Sequence, residues 1–104
     1  MAGNAHEIES LDMDAPSGDL KWFKEFVGEA ALVCLGESRH DIREQFLLKN
    51  RLVKYLVEEL DFTTFVLEAS LPYSNQINDY ILHEKGDLDE IMANFPGWFL
   101  WAGR

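Results

Sequence analysis

The sequence predicts an α/β fold built on one βαβ unit, with parallel strands over 31–35 and 63–67, flanking helices, and a larger α/β domain of which this is a part. Three observations predict it. Residues 30–35 form an unbroken apolar run closed by Gly36, a pattern that suits a strand covered on both faces. From Asp41 to Leu60 the period becomes helical: Ile42, Phe46, Val53, Leu56 and Leu60 fall within about 40° of one line at 100° per residue. A second apolar run, 63–67, follows and is closed by Glu68. Strand, helix and strand in this order imply a right-handed crossover.

The remaining elements follow in chain order. Residues 1–18 read as a polar N-terminal segment, ending in a loop around Pro16 and Gly18 that caps a short helix. Leu20, Phe23, Phe26 and Val27 are expected on one face of that helix, and Gly28 is placed to end it. Beyond Pro72, Ile77, Tyr80 and Ile81 mark another helix that ends near Gly86. Asp87 and Glu90 have the acceptor-x-x-Glu spacing of a capping box, and Asn94 to Gly97 breaks the short helix that it opens. The chain closes on Trp98-Phe99-Leu100-Trp101, four large apolar residues that need a packing partner. All 104 residues therefore read as a single partial domain, with self-association through the terminal aromatic run as an expectation.

The charge excludes several functions. Nineteen acidic and nine basic side chains give a net charge of −10, which offers no electrostatic attraction to nucleic acid or to an anionic membrane surface. The deficit lies in residues 1–29 and 61–104, at −5 each, whereas residues 30–60 are balanced. No apolar stretch approaches the roughly 20 residues of a membrane span. The opening residues lack the basic and apolar regions of a secretion signal, so the cytoplasm is the expected setting. Cys34 is the lone cysteine and, set within the first strand, reads as an inert small hydrophobe. No Cys/His spacing suggests zinc, and neither a metal nor a cofactor is implied.

The candidate site is the turn Gly36-Glu37-Ser38-Arg39-His40 after the first strand. Loops at the C-terminal ends of parallel strands form the ligand crevice of such folds, so Glu37, His40 and Glu68 are expected to face one pocket. A histidine at a helix N-terminus is favoured in its neutral form, and neutral imidazole beside a carboxylate is what a general base for water needs. Each residue also has a structural reading: His40 as a turn residue, Glu37 as a helix cap, Glu68 in a salt bridge. Lys49 interrupts the apolar stripe of the long helix, either snorkelling to water or reaching the carboxylates as a binding cation. Gly36-x-Ser38 has part of a nucleophile-elbow pattern, but His40 stands where the closing glycine belongs. Glu37, His40 and Glu68 could alternatively coordinate a divalent ion in a metal-assisted hydrolase, and a non-catalytic remnant or binding module is a further alternative.

From about Leu32 to Trp101 the chain resembles the N-terminal part of the erythromycin esterase family. The resemblance rests on Leu35-Gly36-Glu37-Ser38-x-His40, Arg43-Glu44-x-Phe46, Leu47-Leu48-Lys49 and Leu56-Val57-Glu58-Glu59-Leu60-x-Phe62, followed by Leu67-Glu68-Ala69, Asn78-Asp79-Tyr80 and the tryptophan-rich end. It implies a metal-independent hydrolase of cyclic esters such as macrolides, with a role in antibiotic resistance, acting on a small-molecule ester. His40 matches the family's general base, Glu37 and Glu68 match its site carboxylates, and Lys49 stands where an arginine is usual. Arg39 and Asp41 depart from the Thr or Ser and the Gly that many members carry beside that histidine. Family members are several times longer, and the resemblance implies that a second active-site histidine lies outside these residues.

Overall fold

The computed structural model describes residues 5–40 and 42–94, which fall into two compact units, Met1–Thr63 and Thr64–Arg104. In the first unit a 3-10 turn, Ser17–Leu20, runs into helix α1, Lys21–Val27, and helix α2 spans Arg43–Leu60. The second unit holds helix α3, Leu71–His83, and helix α4, Leu88–Ala93. The terminal aromatic run and the Phe95–Gly97 part of the expected helix break lie outside the described residues.

No β-strand forms among the described residues, which corrects the expected βαβ unit. Among the described residues, 31–37 form no backbone–backbone hydrogen bond, and 61–70 has no regular structure. An apolar run can become a strand only where a second run supplies its hydrogen-bond ladder, and an isolated two-stranded sheet is marginal in water. The second run finds no such cover: Phe65, Val66 and Leu67 are all exposed. The first run keeps a strand's alternation without its ladder. Val33 and Leu35 pack on the core while Leu32 and Cys34 are exposed, so Cys34 is not the buried hydrophobe expected.

The core of the first unit is formed by Leu20, Phe23, Val27, Leu52, Tyr55 and Leu56. Burying a side chain such as Leu20 contributes roughly 1.5–3 kcal/mol. Leu20, Phe23 and Val27 share a face as expected, but Phe26 does not and is 80 % exposed. Gly28 ends α1 at φ +55°, a conformation that costs glycine little, and its N–H donates to the Lys24 carbonyl at 3.0 Å. On α2 the buried face is carried by Leu52, Tyr55 and Leu56 with Leu48 and Leu60 beside them, rotated roughly a quarter-turn from the expected stripe. The rotation reflects Arg51, a charged residue that is buried. Asp61 in the left-handed region caps α2, and Phe62 folds back onto the core as its N–H reaches the Leu56 carbonyl at 3.0 Å.

Arg51 is buried because its charge is matched. The Arg51 and Asp19 side chains are each 2 % exposed and meet through two parallel bonds of 2.8 Å. Arg51 also donates to the Ser10 and Pro16 carbonyls, and the Glu9 N–H donates to Asp19 at 3.0 Å. This network fastens the polar N-terminal segment to α2. In the second unit, α3 begins with Pro in its first turn and buries no residue, while α4 buries Ile91. One arm of the expected capping box is present: the Asp87 carboxylate accepts from the Glu90 N–H at 2.9 Å. Among the described residues, no helix is long and apolar enough to cross a membrane.

Candidate functional site

The site is assembled where the extended segment turns into α2. Glu37 falls on the inward side of the alternation that buries Val33 and Leu35, so its carboxylate is directed at α2 rather than at water. There it accepts a hydrogen bond from Lys49 Nζ at 2.9 Å on one oxygen and contacts His40 Nδ1 with the other. Glu37 and Lys49 are mostly shielded, 17 % and 21 % exposed, whereas His40 is 70 % exposed. Lys49 also lies over the Phe46 ring, 4.8 Å from its centre. The polar break in the α2 stripe is thus a cation that reaches a carboxylate.

The electrostatics follow from these contacts. The Lys49 hydrogen bond, with a further contribution from His40, holds the Glu37 carboxyl below its ordinary pKa against the opposing effect of burial. An ionised Glu37 accepts, so in the neutral imidazole the bonded Nδ1 carries the proton and Nε2 carries the lone pair. A ring held in this tautomer can take a proton from water at Nε2.

Beside the cluster opens a cleft of about 390 Å³, with Leu35, Leu48 and Leu52 in its wall and Glu37, Ser38 and Lys49 as polar groups. His40 is not in that wall and adjoins it through Glu37. Ser38 is bonded to α2: Gln45 Nε2 donates to its hydroxyl at 2.6 Å, and its own N–H donates to Gln45 Oε1 at 3.3 Å. Among the described residues Ser38 makes no hydrogen bond to His40, the contact a serine nucleophile would require. Glu68 belongs to the second unit, where it is exposed in the irregular stretch before α3. Among the described residues, no group of three or more His, Cys, Asp or Glu side chains could hold a metal ion.

Gln45 was not singled out by the sequence reading and Cys34 was read as an inert hydrophobe, yet both line the cleft. Gln45 could have been found from its spacing, four residues before Lys49 and hence on the same helical face. Cys34 could not, because an apolar run gives no sign of which side will be left uncovered.

Imidazole, carboxylate and ammonium groups thus stand together beside an apolar cleft. The chain is 40 % identical over 73 residues to erythromycin esterase type II of Escherichia coli, a match covering 70 % of this chain and 17 % of that protein. It is 34 % identical over 62 residues to a protein of Bacillus subtilis (strain 168) given the provisional hydrolase name YbfO, covering 60 % of this chain and 14 % of that protein. The chain is thus similar to erythromycin esterase type II, in keeping with the resemblance its motifs carry, and it spans under a fifth of the length of these two relatives. No family model matches the chain, and no solved structure does.

Proposed function

We propose that this chain carries the general-base part of a carboxylic-ester hydrolase site, with His40 taking a proton from the attacking water. The observation that supports this most directly is Glu37, which bridges the His40 ring and the Lys49 ammonium at the turn into α2. Glu37 orients the ring and balances the imidazolium that forms as the proton is taken, and Lys49 keeps Glu37 ionised. The apolar wall of the cleft suits the hydrocarbon part of a small ester. A macrolide lactone is the substrate suggested by the name of the Escherichia coli relative, with antibiotic resistance as the corresponding role.

The test is a graft in which this chain replaces the matching segment of erythromycin esterase type II, assayed on macrolide and simple aryl esters. His40→Ala in the graft should lower kcat/KM by roughly 10²–10⁴-fold, the usual contribution of a general base, whereas Ser38→Ala should lower it far less than removal of a nucleophile would. The chain by itself should show only background hydrolysis, because positioning by the remaining walls supplies several kcal/mol of the barrier reduction. A graft that hydrolyses esters equally well with His40→Ala would refute the assignment.

A further inference from the structure

We infer that Gln45 is the positioning residue of this site, a side-chain clamp that fixes the 36–40 turn against α2 and so sets where Glu37 and His40 stand. Glu37, Ser38 and His40 lie on a turn that no strand ladder holds in place, since, among the described residues, 31–37 form no backbone–backbone hydrogen bond. A base carried on such a turn needs another anchor. Two side-chain ties run from this turn to α2: Gln45 to Ser38 and Lys49 to Glu37.

The two ties differ in what they can fix. Lys49 is a single flexible cation that accepts many approach angles to a carboxylate. Gln45 instead uses both ends of one planar amide: Oε1 accepts from the Ser38 backbone N–H, and Nε2 donates to the Ser38 hydroxyl. Two bonds from one amide to one residue restrain backbone and side chain together. Gln45 is itself held near the first turn of α2, where its backbone N–H donates to the Ile42 carbonyl at 3.1 Å. Because Gln45 and Lys49 are one helical turn apart, they grip Ser38 and Glu37 in succession from the same face. Gln45 thereby acts on the chemistry through Glu37, without contacting the reacting atoms.

The same bonding gives Ser38 a second assignment. With its hydroxyl oxygen accepting from Gln45, Ser38 serves as the clamp's grip point, and its role in the turn is to be held. The inference rests on the proposed hydrolase reading for its catalytic meaning, but its test does not depend on turnover.

The full chain carrying Gln45→Met, similar in size but without either hydrogen bond, is compared with wild type by carbon-detected NMR titration of the side-chain carboxyls. Releasing the turn should separate Glu37 from Lys49 and raise the Glu37 midpoint toward its ordinary value. Asp19, whose carboxyl is held at about 2 by Arg51 in the same unit, should titrate as in wild type and so report an intact fold. A Glu37 midpoint unchanged beside an unchanged Asp19 overturns the inference. Movement of both midpoints, or loss of the fold, also overturns it, because Gln45 would then support the unit as a whole. Gln45→Asn, which keeps the amide but shortens its reach, should leave Glu37 shifted as in Gln45→Met; a wild-type midpoint there would deny that reach matters and also count against the clamp. Hydrolysis by the graft judges the esterase reading separately, so either idea can fail without the other.

Discussion

Two charged pairs within the first unit have different consequences because one is fully buried and the other only partly. At Asp19 the Arg51 hydrogen bonds outweigh burial and hold the carboxyl at about 2, against an ordinary value of 3.8. That difference corresponds to about 2 kcal/mol of stability. Since the folded pKa is depressed, the contribution is complete above 3.8 and is lost as pH falls through about 2. The urea midpoint of the unit should therefore fall across that window, and Asp19→Asn should remove this component of the fall while lowering stability at neutral pH by about 3–5 kcal/mol, as expected when a buried charge loses its partner. An acid profile identical for wild type and Asp19→Asn would disprove the linkage. The more exposed Glu37–Lys49 pair is tuned for its charge state: Lys49→Met should raise the Glu37 midpoint, readable by the same carboxyl titration.

The helices were largely legible in the sequence, because their signals are local. Gly28, Pro72 and the Asp87/Glu90 pair mark boundaries through backbone geometry and caps, and each appears at or beside a helix end. Asp87→Ala should accordingly cost α4 about 1 kcal/mol, measured as faster amide exchange over Leu88–Ala93, with no change in α2. An unchanged exchange rate in α4 would show that the cap carries no weight. The strands were not legible, since an apolar run specifies a strand only together with the partner that pairs with it. The buried face of α2 was misplaced for a related reason. Hydrophobic periodicity counts arginine as solvent-facing, and nothing near Arg51 in sequence announces that Asp19, 32 residues earlier, will neutralise it. The contacts among Glu37, His40 and Lys49 could be anticipated because Glu37 and His40 share one turn and Lys49 visibly breaks an apolar stripe. Gln45 was harder to see: a glutamine near a helix start is an ordinary surface residue until the turn opposite it is known.

At the scale of the whole chain, the two units differ in how much they bury. The first has a six-residue apolar cluster and an internal charge pair, both of which require its elements to be assembled together. In the second, α3 buries nothing, Ile91 of α4 is the one buried hydrophobe among the described residues, and Leu71, Ile81, Leu82 and Leu88 are exposed. Helix propensity alone leaves a segment as short as α3 marginal in water, because most helical stability in proteins comes from packing an apolar face. The units should therefore open at different free energies, and unfolding should not follow a single transition. Native-state hydrogen exchange can read this directly. Amides of α2 around Leu52–Leu56 should exchange only through opening of the first unit and slow as that unit is stabilised, whereas α3 amides should exchange through low-energy local opening. Urea should separate the two further, melting α3 before Tyr55 and Trp22 lose their folded environments. Equal protection in α2 and α3, with coincident urea transitions, would mean that the second unit gains cooperativity from contacts beyond its own buried residue.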